Sequence, residues 1–141
     1  MDNNLQKLID LGFELVGKWR LRLDQLSFQI SQYQEKKNIL YAFVESGKIL
    51  YIGKSTQTLY QRMNGYKNPG PTQSTNINNH SRIKENLEQN KRIEIYVFVQ
   101  NDDLIYRGVK VNLAAGLEDN LITILAQNND YVSLPRLYSF F

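Results

Sequence analysis

The chain has 141 residues, 42% of them hydrophobic and 22% charged, with a net charge of +3. That composition belongs to one folded domain with its own core and excludes a disordered tail. Cysteine is absent and there is one histidine, His80, which excludes disulfides, thiolate zinc sites, a cysteine nucleophile and a multi-histidine metal site.

The first residues, MDNNLQKLID, lack a basic-then-apolar leader, so no export signal is expected and the predicted location is cytoplasmic, as for an intracellular bacterial or phage protein. Leu5, Leu8, Ile9 and Leu11 suit one face of a short helix. From Phe13 the period changes. Phe13 and Leu15, then Trp19, Leu21 and Leu23, alternate with polar residues as strands do, and Gly17 between them is a bend or bulge. Residues 1–37 are read as an N-terminal helix and strand extension packed on a core spanning 38–141. In the segment Lys18-Trp19-Arg20-Leu21-Arg22, the cations are either the outward side of an amphipathic strand or a DNA-backbone or dimer surface.

Ile39-Leu40-Tyr41-Ala42-Phe43-Val44 is the longest apolar run. It is far short of the roughly 20 residues that cross a bilayer and reads as a buried strand. Glu45-Ser46-Gly47 is a turn, and Ile49-Leu50-Tyr51-Ile52 returns as the second strand of a hairpin that Gly53 ends. Ser55 or Thr56 is placed to cap a short helix carrying Leu59, Arg62 and Met63. Asn64 to Asn79 holds two Gly, two Pro and five Asn and reads as a loop. Ser81 to Asn90 reads as a helix, Arg92 to Val99 as a central strand, and Asn112 to Gln127 as a helix whose stripe is Leu113, Leu117, Leu121 and Ile124. Asp130 to Phe141 is expected to pack back as a loop. The order gives an α+β fold: a small, mainly antiparallel, three-stranded sheet flanked by helices.

Charge is uneven. Residues 38–100 carry eight basic and four acidic side chains, whereas residues 101–141 carry three and five. With a pI near 9.1, the basic middle permits a polyanionic partner. The same region contains polar groups that the pattern places near one another: Tyr41 and Tyr51 on the two hairpin strands, Lys54 past the strand end, Arg62 and Tyr66 four apart, and Glu118 two residues beyond a bend expected at Gly116. Each taken singly is an ordinary rim or surface residue.

Their order and spacing resemble the GIY-YIG nuclease family. The two-part motif stands as Ile39-Leu40-Tyr41, with Ile in place of the usual Gly, and as Tyr51-Ile52-Gly53, a full match. Lys54 follows directly, Arg62 falls where the family keeps an essential arginine, Tyr66 matches a tyrosine of repair-type members, and Glu118 matches the metal-binding glutamate. Asn128 and Asn129 lie near the family's late asparagine. The layout is similar to the phage endonuclease II type and to restriction-type members, with Ser74-Thr75-Asn76 in the place of a Ser-Thr-Lys-like segment.

The resemblance implies a metal-dependent DNA endonuclease. Tyr41 or Tyr51 would act as base, its pKa lowered by cations such as Lys54. Arg62 would fork the phosphate oxygens, Tyr66 would bond the phosphate or the base, and Glu118 would hold Mg²⁺ or Mn²⁺. DNA contacts are expected from Lys67, Thr75, Asn76, His80 and Arg20, with the Tyr66 to Asn79 loop bordering the groove. A double cut needs two sites and hence a homodimer, whereas a nickase works as a monomer, and no membrane partner is expected. The alternative is a DNA-binding module that keeps the nuclease fold without turnover. No Gly-rich phosphate loop, nucleophile elbow or zinc spacing supports a third class.

Overall fold

The structure is a computed structural model that describes residues 3–100 and 103–127; Asn128, Asn129 and the final segment lie outside them. Helix α1 (Asn3–Leu11) ends at Gly12, whose φ of 114° only glycine adopts freely. Strands β1 (Glu14–Arg22) and β2 (Gln25–Ile30) form an antiparallel hairpin. β3 (Ile39–Glu45) and β4 (Lys48–Ser55) form a second. Both close through two residues at positive φ, Leu23-Asp24 and Ser46-Gly47, the geometry that matches strand twist in tight hairpins.

β5 (Ile93–Phe98) lies between the hairpins, antiparallel to β1 and β3, so the sheet order is β2-β1-β5-β3-β4. The sheet therefore has five strands, not the expected three. The alternating pattern in the N-terminal region was legible, but nothing local said that β1 would pair with β5. Between Leu15 and Gly17 the register shifts by a bulge. This turns Val16 and Trp19 inward and leaves Leu15 exposed, against the simple alternation through Leu15.

β4 runs on past Gly53 to Ser55. Helix α2 (Leu59–Lys67) is capped by Thr58 rather than by Ser55 or Thr56, through a capping box with Gln61. Two more of its first N–H groups are satisfied by the 31–38 connection: Leu59 donates to the Lys36 carbonyl and Tyr60 to that of Gln34, both at 3.0 Å. Helix α3 (Ser74–Glu88) begins seven residues before the expected Ser81. Most of the expected Asn64–Asn79 loop is thus helical. Asn76 and Asn79 are buried there, and packing outweighs their poor intrinsic preference.

β6 (Leu104–Tyr106) and β7 (Val109–Val111) make a small separate ribbon turning at Arg107-Gly108, in addition to the expected elements. In helix α4 (Leu113–Gln127), Gly116 is an ordinary helical position rather than a bend. The buried face is Ala114, Glu118, Leu121, Ile122 and Leu125, rotated from the expected stripe so that Leu113 and Leu117 sit at its margin.

Helices cover both faces of the hairpin β3-β4, which explains the unbroken apolar run. Odd-numbered Ile39, Tyr41 and Phe43 join Tyr51, Leu59, Met63, Tyr66 and Ile83 on the α2/α3 side. Even-numbered Leu40, Ala42 and Val44 join Leu5, Leu8, Ile52, Leu121 and Leu125 on the α1/α4 side. The period-2 alternation of strands assigns each polar residue on this hairpin to one side or the other.

Candidate active site

On the α2/α3 side the tyrosines are assembled by three elements. Tyr41 projects from β3, Tyr51 from β4 and Tyr66 from the last turn of α2. Around Phe43 they form an aromatic cluster in which Phe43 and Tyr51 stack at 5.7 Å and Tyr66 meets Phe43 edge-on at 5.4 Å. Their hydroxyls meet at the cluster's end. Tyr41 and Tyr66 share a hydrogen bond of 2.6 Å, and Tyr66 donates to Tyr51 at 3.4 Å.

Arg62 closes this network from one turn earlier on α2. Its Nε donates to the Tyr41 hydroxyl at 3.0 Å and its Nη2 to the Tyr66 hydroxyl at 2.7 Å, while the guanidinium lies 4.2 Å over the Tyr66 ring. Nη1 donates to Asn76 Oδ1 on α3 at 3.0 Å.

Gly53 is what lets Tyr41 reach this position. A Cβ there would lie 2.5 Å from the Tyr41 hydroxyl and 3.0 Å from the Tyr51 ring. The third letter of the second motif triplet is therefore a packing requirement, and no other side chain fits.

Burial sets the protonation states. Tyr41 and Tyr66 are each 0% exposed. Burial, then the neighbouring phenols, push both pKa values far up, although Arg62 acts in the opposite direction. For Arg62, burial disfavours the charge, but the three phenols outweigh it and the guanidinium is held even more firmly protonated. The expected lowering of the tyrosine pKa by Lys54 does not occur at Tyr41.

Lys54 points the other way. One residue beyond Gly53, it faces the α1/α4 side, and its Nζ pairs with Glu118 Oε1 at 3.3 Å. Glu118 is brought there by α4, which packs on β3 and β4. The carboxylate side chain is 7% exposed and the lysine 51%. The phenol network and the ion pair thus occupy the two sides of one strand end, with Gly53-Lys54 between them.

Two solved structures share this architecture. Over 85% of this chain and 92% of its own, a glutamate-to-alanine mutant of bacteriophage T4 EndoII matches with a TM-score of 0.65 and 18% identity. Restriction endonuclease Hpy188I, solved with product DNA, matches over 95% of this chain and 89% of its own, with a TM-score of 0.53 and 17% identity. This is the GIY-YIG nuclease fold. No protein-family model matches the sequence, and no curated protein matches it significantly; the likeness is one of shape.

Within the GIY-YIG fold, Ile39 replaces the motif's first glycine without disturbance: it is fully buried in the core and pairs with Ser55 on β4. The residues expected to touch DNA are dispersed. Lys67 ends α2, half-buried. Thr75 lies in the first turn of α3, also half-buried. Asn76 turns inward to Arg62, and His80 Nδ1 lies 2.8 Å from the Tyr66 carbonyl, tying α3 to α2. Arg20, on β1, lines a separate cleft of about 290 Å³ with Lys18, Lys91 and Arg92. The Asn76 contact had no local signal in sequence. It lies 14 residues from Arg62, in a stretch whose composition reads as loop.

Proposed function

We propose that this protein is a metal-dependent DNA endonuclease. The observation that carries the reading is the Arg62 fork, clamped by the phenols of Tyr41 and Tyr66 in a nuclease fold, with Tyr51 at the open end of the same network. A half-buried guanidinium held by neutral phenols keeps its full charge, which is what phosphodiester hydrolysis needs where negative charge grows. Both structural neighbours are named as endonucleases, one of them with DNA. A groove of about 350 Å³, lined by Lys36, Lys37 and Lys110 with Asp103, opens beside the start of β3 and supports a polyanionic substrate.

Tyr51 is the better base of the two candidates. The Tyr41 oxygen is already engaged by Arg62 and Tyr66, and burial disfavours its phenolate. Tyr51 is 5% exposed and accepts the long 3.4 Å bond from Tyr66, so once its own hydroxyl proton has left, the phenolate oxygen still has lone-pair capacity to take a proton from an incoming water.

Among the described residues no group of three or more acidic, histidine or cysteine side chains could cage a metal. Mg²⁺ does not require one. It binds through one or two carboxylates plus substrate phosphate and keeps several waters. Glu118 is a hard oxygen donor held nearly buried at the strand end, and it fits that role for Mg²⁺ or Mn²⁺. Bound there, the ion would supply Lewis-acid stabilisation of the leaving oxygen. The Lys54 ammonium now on Glu118 would be released toward the substrate's negative charge. One chain carries one such set of residues, so cutting both strands takes two copies or two successive nicks.

The reading is tested on supercoiled plasmid with Mg²⁺ or Mn²⁺. Wild type should produce nicked circles, and Arg62→Ala and Glu118→Ala should not. Intact plasmid with wild type under varied metal and pH overturns it. Salt-sensitive binding without cutting would instead favour the non-catalytic DNA-binding reading, for which the Lys54–Glu118 pair, occupying the metal carboxylate, is the one supporting observation.

A further inference from the structure

Asn76 stands where a Ser-Thr-Lys-like segment would place a lysine, yet it turns inward and holds the edge of the Arg62 fork that the phenols leave free. An arginine has five N–H donors. Here Nε and Nη2 each give one to a phenol and Nη1 gives one to Asn76 Oδ1. Two remain for a phosphate. Bonds to Tyr41 and Tyr66 alone would grip one edge of the guanidinium and let it tilt. The Asn76 bond grips a second edge and fixes the plane.

Asn76 is itself held. It is 8% exposed on the first turns of α3. Arginine can only donate, so the amide oxygen must face it, and the amide nitrogen faces away. That nitrogen donates to Gln73 Oε1 at 3.0 Å, and the same oxygen accepts the Gly70 N–H at 2.9 Å. The turn between α2 and α3 is thereby linked through two amides to the arginine. The α2 backbone at Gly65 passes beside this junction: a Cβ there would make ordinary contacts, 3.5 Å to Asn76 Nδ2 and 3.6 Å to Arg62 Nη1.

We propose that Asn76 is a positioning residue for the nuclease reaction, fixing the Arg62 fork on the phosphate path, with Gln73 and the Gly70 turn as its own anchor. The proposal rests on the endonuclease reading above. It also removes Asn76 as a reader of base edges, since both ends of its amide are engaged within the protein.

The test measures cleavage of plasmid DNA with Mg²⁺ as kcat and KM separately, beside the urea midpoint of each variant. Asn76→Ala should lower kcat about ten- to a hundredfold, the scale of a misplaced catalytic group, with KM changed less than about twofold. Asn76→Asp keeps an acceptor for Arg62 but loses the N–H given to Gln73, and Gln73→Ala keeps the acceptor but frees its anchor, so both should fall between Asn76→Ala and wild type. If Asn76→Ala does not fold, Gln73→Ala still decides the matter, because the proposal requires its kcat to lie below that of wild type at an unchanged urea midpoint. Wild-type kcat in Asn76→Ala or in Gln73→Ala, a loss confined to KM, or an Asn76→Asp rate no better than that of Asn76→Ala overturns the proposal while leaving the endonuclease reading intact. An inactive wild type overturns the reading itself.

Discussion

The two sides of the β4 strand end hold their polar groups in different ways. On the α2/α3 side, Tyr41 and Tyr66 are buried, Arg62 is half-buried, and short bonds and the aromatic cluster leave the three little freedom. On the α1/α4 side, Glu118 has one half-exposed lysine as its ion-pair partner among the described residues. The first arrangement is complete before any substrate arrives. The second is a single exchangeable ion pair, whose contribution to folding is small because water competes for the lysine. Under the proposed endonuclease reading, this division keeps the charge meant for phosphate rigid and the carboxylate meant for the metal available.

Changes on the rigid side should be the most severe. Arg62→Ala removes the charge and three donors, and a loss of about a thousandfold in nicking rate is expected, measured by single-turnover plasmid cleavage. Arg62→Lys should restore little, because one ammonium cannot meet three acceptors on different elements. Glu118→Gln keeps the shape but removes the charge of the carboxylate proposed to hold the metal. It should cost about a hundredfold or more in rate at fixed Mg²⁺, with an almost unchanged urea midpoint; equal destabilisation by both variants would erase the contrast between the sides.

The next effects concern the fold. Gly53→Ala drives a Cβ against the buried Tyr41 hydroxyl and should destabilise by about 1–3 kcal/mol in urea titration, as overpacking does. Tyr66→Phe leaves Arg62 and Tyr41 short of a partner and should cost a similar amount. Lys54→Met should change stability by less than about 1 kcal/mol. It should also tighten Mn²⁺ binding in a calorimetric titration, since the competing cation has gone.

Alkaline pH sharpens the same contrast through linkage. Burial raises the pKa values of Tyr41 and Tyr66 in the folded state above the unfolded value near 10. The native protein therefore holds these protons when the unfolded chain has lost them. Their contribution to stability is complete below about pH 10 and is lost as pH rises above it. Unfolding midpoints followed alongside tyrosinate absorbance should show a steep decline in that range, and Tyr66→Phe should flatten it.

The grouping of much of the candidate site could be read from residue order, because most of its members stand close together in the chain. Tyr41, Tyr51 and Gly53 sit on one hairpin, and hairpin pairing is local information. The fold was legible where the period was clean, as in β3, β4 and β5. It was not legible where packing decides. The Asn-rich start of α3 reads as loop until Asn76 and Asn79 find buried positions against α2, and the α4 stripe turned once α4 met β3 and β4. The attachment of β1 to β5 joins residues nearly eighty apart, and no pattern within either segment announces the other.

The place of β5 has a consequence for biosynthesis. The β1-β2 and β3-β4 ribbons do not touch in the sheet; each is joined to the other through β5, which is the last of the five to leave the ribosome. Until residue 98 has emerged, two marginal ribbons wait with unpaired edges. Synthesis must therefore pass Phe98 before the five-stranded sheet can form, and translation stopped short of that strand would leave an aggregation-prone fragment.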